Sequence, residues 1–268
     1  MKKIFVVLAA AVLAASLAGC AKKGSKADNS LADLQARGVF VLGLDDSFPP
    51  MGFRDEANEI VGFDIDLAKE VAKRLGVQFK AQPINWDSKE QELSSGKIDC
   101  IWNGLTITED RKKALSFTKA YLANKQVVVV RDNSGFKTLA DLKGKRIALQ
   151  AGSSAEDAVN DSPDFKNSVK EIIQLDQNLM ALNDLVIGGV DGVVMDSIVA
   201  EYAIKQSNLP LTTLTESLAA EEYGVAFRKN DVKLTEAVQK TLEEMAADGT
   251  VAKISNAWFG SDITVIGK

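Results

Sequence analysis

The sequence predicts an α/β protein. Short apolar runs alternate with stretches of helical periodicity along most of the chain, the pattern of parallel sheets flanked by helices. Hydrophobic residues make up 46% and charged residues 26% of 268 positions, enough apolar surface to bury a sizeable core. That length suggests one or two domains.

The first twenty residues stand apart. Lys2 and Lys3 precede an almost wholly apolar run from Ile4 to Leu17, and small residues lead to Cys20. The run is too short for a membrane span and has the order of a secretory signal peptide, predicted over 1–19. The string Leu17-Ala18-Gly19-Cys20 resembles a bacterial lipobox, which implies cleavage before Cys20 and a diacylglycerol thioether, with palmitate, on its sulfur. Two acyl chains would hold the chain at a membrane. Residues 20–30 are small and polar and read as a tether.

The elements then follow in order. Val39 to Leu44 reads as a buried strand. Gly62 to Leu75 carries Phe63, Leu67, Val71 and Leu75 on one helical face, with Asp64 and Asp66 in the first turn, where carboxylates suit the helix dipole. Strands are predicted at Val77 to Ala81 and Lys97 to Trp102. A second series opens with four valines, Val127 to Val130, and continues with a short helix at Leu139 to Leu142 and a strand at Lys145 to Gln150. Helices at Ser153 to Val159 and Gln177 to Ile187, a strand at Gly192 to Met195 and a helix at Ser197 to Lys205 complete it. Tyr223 to Phe227 reads as a returning strand, and Val232 to Ala247 and Thr250 to Trp258 as closing helices.

Composition excludes several chemistries. Histidine is absent, which removes Ser-His-Asp and Cys-His nucleophile activation and HExxH zinc sites. A net charge of -5 offers no basic footprint for nucleic acid. Nucleotide-binding glycine motifs and EF-hand spacing are missing, so no cofactor or metal is predicted. The two cysteines are Cys20 and Cys100; the second lies in an apolar strand and reads as a buried structural thiol.

Four segments carry candidate chemistry. Gly104-Leu105-Thr106-Ile107-Thr108-Glu109-Asp110-Arg111 follows a strand and offers hydroxyls and a guanidinium fork suited to a carboxylate; locally it also reads as a helix cap with a surface arginine. Gln150-Ala151-Gly152-Ser153-Ser154 opens a helix, where free N–H groups attract an anion. Asp196 ends a strand, where open α/β sheets bind ligands. Asp45-Asp46-Ser47-Phe48-Pro49-Pro50 joins a strand end to an aromatic residue and a rigid turn. Together they suit a zwitterion better than they suit a nucleophile and base.

The chain resembles the polar amino-acid-binding lipoproteins of bacterial ABC importers, solute-binding protein family 3. Gly62-Phe63-Asp64-Ile65-Asp66-Leu67, Trp86-Asp87, Gly96-Lys97-Ile98-Asp99, Gly104 to Thr108, Arg111, Gln150 to Ser154, Glu222-Tyr223-Gly224 and Trp258-Phe259-Gly260 carry the likeness. The resemblance implies a two-lobed periplasmic-binding-protein-like fold with a hinge of two crossing strands and a ligand cleft between the lobes. Lobe one would be 31–123 plus 219–268, lobe two 124–218.

By the same resemblance Arg111, Thr106, Ser153 and Ser154 would hold a ligand α-carboxylate, and Asp196 and Gly104 its α-ammonium. Asp45, Phe48, Trp86, Gln150 and Met195 would line the side-chain region. The expected partners are an L-amino acid, polar or cationic, and the permease of an ABC transporter. The expected form is an extracytoplasmic, lipid-anchored monomer with no catalytic residue. Two other classes stay open: a cyclohexadienyl-dehydratase-like enzyme on the same scaffold, and a sensor for a separate receptor. Two departures stand out, the first being Asn103 beside Gly104, where the family has small or hydroxyl residues. Trp86-Asp87 is followed by Ser88-Lys89-Glu90-Gln91-Glu92-Leu93 where the family has aliphatic residues and a proline, and this reads as a solvated helix face.

Overall fold

The computed structural model describes residues 27–207 and 209–268. The signal segment 1–19, the lipid site Cys20 and most of the tether lie outside the described residues. The first stretch holds α1 (Ser30–Arg37), β1 (Val39–Leu44), β2 (Ser47–Phe48), β3 (Gly52–Arg54), β4 (Ile60–Val61), α2 (Phe63–Arg74), β5 (Gln78–Pro83), α3 (Lys89–Ser94), β6 (Cys100–Ile101), α4 (Glu109–Ala114) and β7 (Leu115–Phe117). The second holds β8 (Leu122–Arg131), β9 (Arg146–Gln150), α5 (Ser154–Asn160), α6 (Pro163–Ser168), β10 (Glu171–Leu175), α7 (Asn178–Ile187), β11 (Gly192–Asp196), α8 (Ser197–Ser207) and β12 (Leu211–Tyr223). The chain returns with β13 (Ala226–Arg228), α9 (Val232–Ala247) and α10 (Thr250–Phe259).

These strands build two five-stranded sheets, ordered β5-β1-β6-β13-β7 and β10-β9-β11-β8-β12, with β2-β3-β4 as a small third sheet. One apolar cluster runs through the first sheet and onto one face of the second, at Val129, Ala148 and Val193, and the second sheet's other face packs separately. Phe40, Leu42, Phe63, Leu67 and Val71 are fully buried around the first, and Val128, Val130, Ile147, Leu149 and Val194 around the second. Cys100 is buried and unpaired by disulfide, and burial beside Asp99 pushes its thiol well above the ordinary value.

The expectation of parallel sheets holds only in part. β1 runs parallel to β5 and β6, and β9 parallel to β10 and β11, but β8 is antiparallel to both β11 and β12. The reason is the return path: β8 carries the chain out of the first sheet and β12 brings it back. The two pair from Leu122↔Tyr223 through Asn124↔Glu221 to Gln126↔Ala219. This ribbon of two crossing strands joins the two lobes.

Three element boundaries differ from expectation. The strand read at Lys97 to Trp102 is confined to Cys100–Ile101, because the Asp99 carboxylate takes the Val41 N–H at 2.8 Å and replaces a ladder bond. The strand read at Tyr223 to Phe227 is two strands, since Gly224 passes from one sheet to the other and donates its N–H to the Leu105 carbonyl at 2.9 Å. The folded chain also starts earlier than the end of the tether: Asp28 accepts the Ser30 and Lys233 N–H groups, at 2.9 and 2.6 Å.

Candidate functional site

The loops after β1 and β6 in one sheet face the loop after β9 and the end of β11 in the other. Carboxyl ends of strands are where open α/β sheets gather ligand-binding groups. Phe48, Trp86, Gly104, Thr106, Arg111, Gln150, Ser153, Ser154 and Asp196 line a tight gap of about 10 Å³ between the lobes.

One end of the cavity is cationic. Thr108 caps α4 by accepting the Arg111 N–H at 3.2 Å, which turns the arginine back toward the cleft. Its guanidinium donates to the Thr106 carbonyl at 2.9 Å and to the Gly152 carbonyl at 3.4 Å. Both acceptors are neutral, and burial lowers the guanidinium from its ordinary value. Arg111 is therefore not a fully exposed surface arginine. The Thr106 and Ser154 hydroxyls meet at 3.0 Å from opposite lobes, and the Ser153 hydroxyl donates to the Gln150 carbonyl at 2.7 Å.

The other end is anionic. Asp196 is 5% exposed and accepts from Tyr223 Oη and Asn124 Nδ2, each at 2.6 Å. Burial, reinforced by the charge of Glu221, pushes its carboxyl up to about 7. Gly104 stands beside it with φ +60, and a Cβ there would meet Phe48 at 2.9 Å and Tyr223 at 3.2 Å. Only glycine fits both that turn and that approach. The Gly104 N–H donates to Asp64 Oδ2 at 2.8 Å, so Asp64 is a fully buried prop for this loop rather than a surface group on the helix end.

Asp45, expected in the side-chain region, is not among the lining residues and lies behind Gln150. Its carboxylate accepts from the Ser47 N–H and hydroxyl, at 2.9 and 2.6 Å, and from Gln150 Nε2 across the cleft at 2.7 Å. Burial raises its pKa from the ordinary carboxylate value. Asn103 accepts the Asp45 N–H at 3.1 Å and thus supports the carboxylate from behind. Phe48 and Trp86 are buried walls. Met195 is not among the lining residues; it is fully buried in the core and pairs with Val127.

Sequence reasoning missed three polar groups at this junction. Glu221 Oε2 accepts from Thr106 Oγ1, Asn124 Nδ2, Gln126 Nε2 and Ser154 Oγ, at 3.0 to 3.3 Å. One carboxylate on the hinge ribbon thus gathers hydroxyls from both lobes. The available signal was Asn124 and Gln126 at alternate positions of a strand that ends in valines, a polar stripe on one buried face. The reading of Ser88 to Leu93 as a solvated face also needs correction. Glu90 is exposed, but Lys89 is 5% exposed, because the helix turns this one residue onto the opposite lobe.

Two lobes joined by a strand ribbon, with opposed charges along a buried cleft, define a solute-binding protein. The model of the bacterial extracellular solute-binding proteins, family 3, matches residues 40–261, and the chain belongs to that family. The L-cystine-binding protein TcyJ of Escherichia coli strain K12 is 31% identical over 252 residues, 93% of each chain. A substrate-binding protein of an ABC uptake transporter from Streptococcus pneumoniae, solved with bound histidine, superposes with a TM-score of 0.87 at 35% identity, over 90% of this chain and all of that one. Tv2483 bound to L-arginine superposes at 0.86 and 33% identity, over 90% and 98%. Such proteins act outside the cytoplasm.

Proposed function

We propose that this chain captures an L-amino acid with a polar or cationic side chain between its lobes and delivers it to an ABC permease. The carrying observation is the opposition of Arg111, Thr106, Ser153 and Ser154 to Asp196 and Gly104 along one cavity. Arg111 and the hydroxyls of Thr106, Ser153 and Ser154 would take the α-carboxylate. Asp196 and the Gly104 carbonyl would take the α-ammonium. Phe48 and Trp86 would flank the side chain, whose polar end would reach Asp45 and Gln150. Hydrogen bonds to charged groups contribute about 1.5–3 kcal/mol each, so a dry cleft recognises both ends of a zwitterion strongly. A ligand that touches both lobes favours the closed form, which the permease would read.

The lobes would divide at 31–123 plus 219–268 and 124–218. Cys20 would carry the lipid, and the chain would act as a monomer. Replacing Cys20 with alanine should then move the protein from the membrane to the soluble fraction.

Thermal unfolding against a panel of L-amino acids tests the main reading, after unfolding and refolding to strip carried ligand. A ligand at a hundredfold excess over Kd adds about 2.7 kcal/mol, a readily seen shift. The shift should vanish with D-forms and amides. No shift with any amino acid would overturn the assignment. A catalytic reading has one supporting feature, the Asp196 carboxyl that lines the cavity and that burial and Glu221 raise above the ordinary value, as a general acid needs. Product formation from prephenate or arogenate would establish it, and we expect none.

A further inference from the structure

We infer that Lys89 is a positioning residue that fastens the two lobes together at the cleft and holds Trp86 in place as a wall of the binding site. The inference rests on the binding reading above for the role of Trp86, but the fastening itself follows from contacts alone.

Lys89 begins α3 in the first lobe, yet its ammonium reaches the second. Nζ donates to the Gly152 carbonyl at 2.8 Å and to the Trp86 carbonyl at 3.2 Å, and lies 5.2 Å from the centroid of the Trp86 ring. Gly152 belongs to the turn between β9 and α5. It is approached so closely that a Cβ there would stand 2.8 Å from Asp87 Oδ1 and 3.0 Å from Asp87 Cα. Its carbonyl also accepts from Arg111. Three residues of one lobe thus converge on a single peptide of the other.

A buried ammonium is costly to keep. Burial, with Arg111 nearby, lowers it to about 8. The Gly152 carbonyl offsets that cost where the lobes meet, and when they part the bond is lost and water takes its place. The bond to Gly152 therefore acts only in the closed form. The bonds to the Trp86 carbonyl and ring persist, so the same side chain links the aromatic wall to closure. A solvated lysine on a helix face does neither.

The test compares wild type with Lys89→Met, which keeps length and apolar bulk, and Lys89→Arg, which restores a donor. Hydrogen exchange at the peptides spanning 84–90 and 150–156, read without and with an added L-amino acid panel, should quicken roughly tenfold in Lys89→Met in whichever condition protects those peptides in wild type, and return most of the way in Lys89→Arg, since a charged donor is lost and regained. Dissociation of bound amino acid, followed by tryptophan fluorescence, should quicken by a similar factor with association little changed. Unchanged exchange at those peptides in Lys89→Met would overturn the inference. So would exchange that rises equally over the whole chain, which marks plain loss of stability. If wild type binds no amino acid, the binding reading fails, and the exchange comparison still decides the fastening.

Discussion

Asp64 and Asp196 are near twins in chemistry and opposites in position. Each is buried, each accepts a tyrosine hydroxyl, and burial pushes each carboxyl up to about 7. Tyr121 serves Asp64 at 2.9 Å and Tyr223 serves Asp196 at 2.6 Å, and the two rings lie 6.2 Å apart. Asp64 is sealed beneath Gly104, while Asp196 opens on the cavity with Glu221 beside it. A perturbed carboxyl therefore does not mark a site by itself. What marks it is a face toward the cleft between the lobes, opposite a complementary charge.

The largest break in this symmetry should come from Asp196→Asn. We expect it to lose roughly 3–5 kcal/mol of amino-acid binding, and Arg111→Ala a similar amount, because each strands the opposite charge of a buried pair. Asp64→Asn should keep affinity within about threefold but lose about 1–3 kcal/mol of folding stability, since a buried network loses a partner. Calorimetry and thermal unfolding separate the two, and equal affinity losses would erase the distinction. The tyrosines sharpen the comparison: Tyr223→Phe should weaken binding by about 1.5–3 kcal/mol, whereas Tyr121→Phe should show the loss in stability.

Acid should separate them further. A ligand ammonium requires Asp196 ionised, so affinity should fall as pH drops below about 7, by up to tenfold per unit, with one proton released per ligand bound. Stability runs the other way. Both carboxyls bind protons more tightly folded than unfolded, where the ordinary value is 3.8. Their contribution to stability is therefore full below about 4 and lost as pH rises through about 7. Asp64→Asn should flatten part of that slope in unfolding curves taken across the range. A pH-independent affinity would detach Asp196 from the ammonium. The smallest effect should be Asp45→Asn, which should reorder the amino-acid panel rather than weaken every ligand alike.

Eight of the nine residues that line the cavity fall in the four segments singled out by local chemistry, and Trp86 was named through the family resemblance alone; their roles toward a ligand are proposals. They stand at strand ends, next to glycines and caps, where local chemistry announces an exposed backbone or a charge. The helices at Val232–Ala247 and Thr250–Phe259 were legible for the same reason of strong periodicity. What stayed hidden depends on partners far along the chain. β12 lacks alternation and pairs with register shifts between Thr213 and Ser217 and between Ser217 and Ala219, so no strand announced itself. Glu221 and Gln126 meet only because that strand pairs with β8. Lys89 looked solvated because nothing nearby in sequence reveals the Gly152 carbonyl opposite it.

The position of β13 bears on how the molecule comes into being. It lies between β6 and β7, inside the first sheet, yet belongs to residues 226–228. The helices after it complete the same lobe: Arg74 pairs with Asp248 at 2.8 Å, and the Trp258 indole donates to Asp66 at 2.9 Å. A nascent chain that has made its strands through β7 still lacks the strand that lies between β6 and β7. Assembly of the first lobe must wait until the ribosome is almost finished, and the second lobe, contiguous in sequence, has the head start. Loop closure over such a distance is slow. A chain bound for the outside of the cytoplasm would profit from that delay, since its first lobe could not close before β13 had been made.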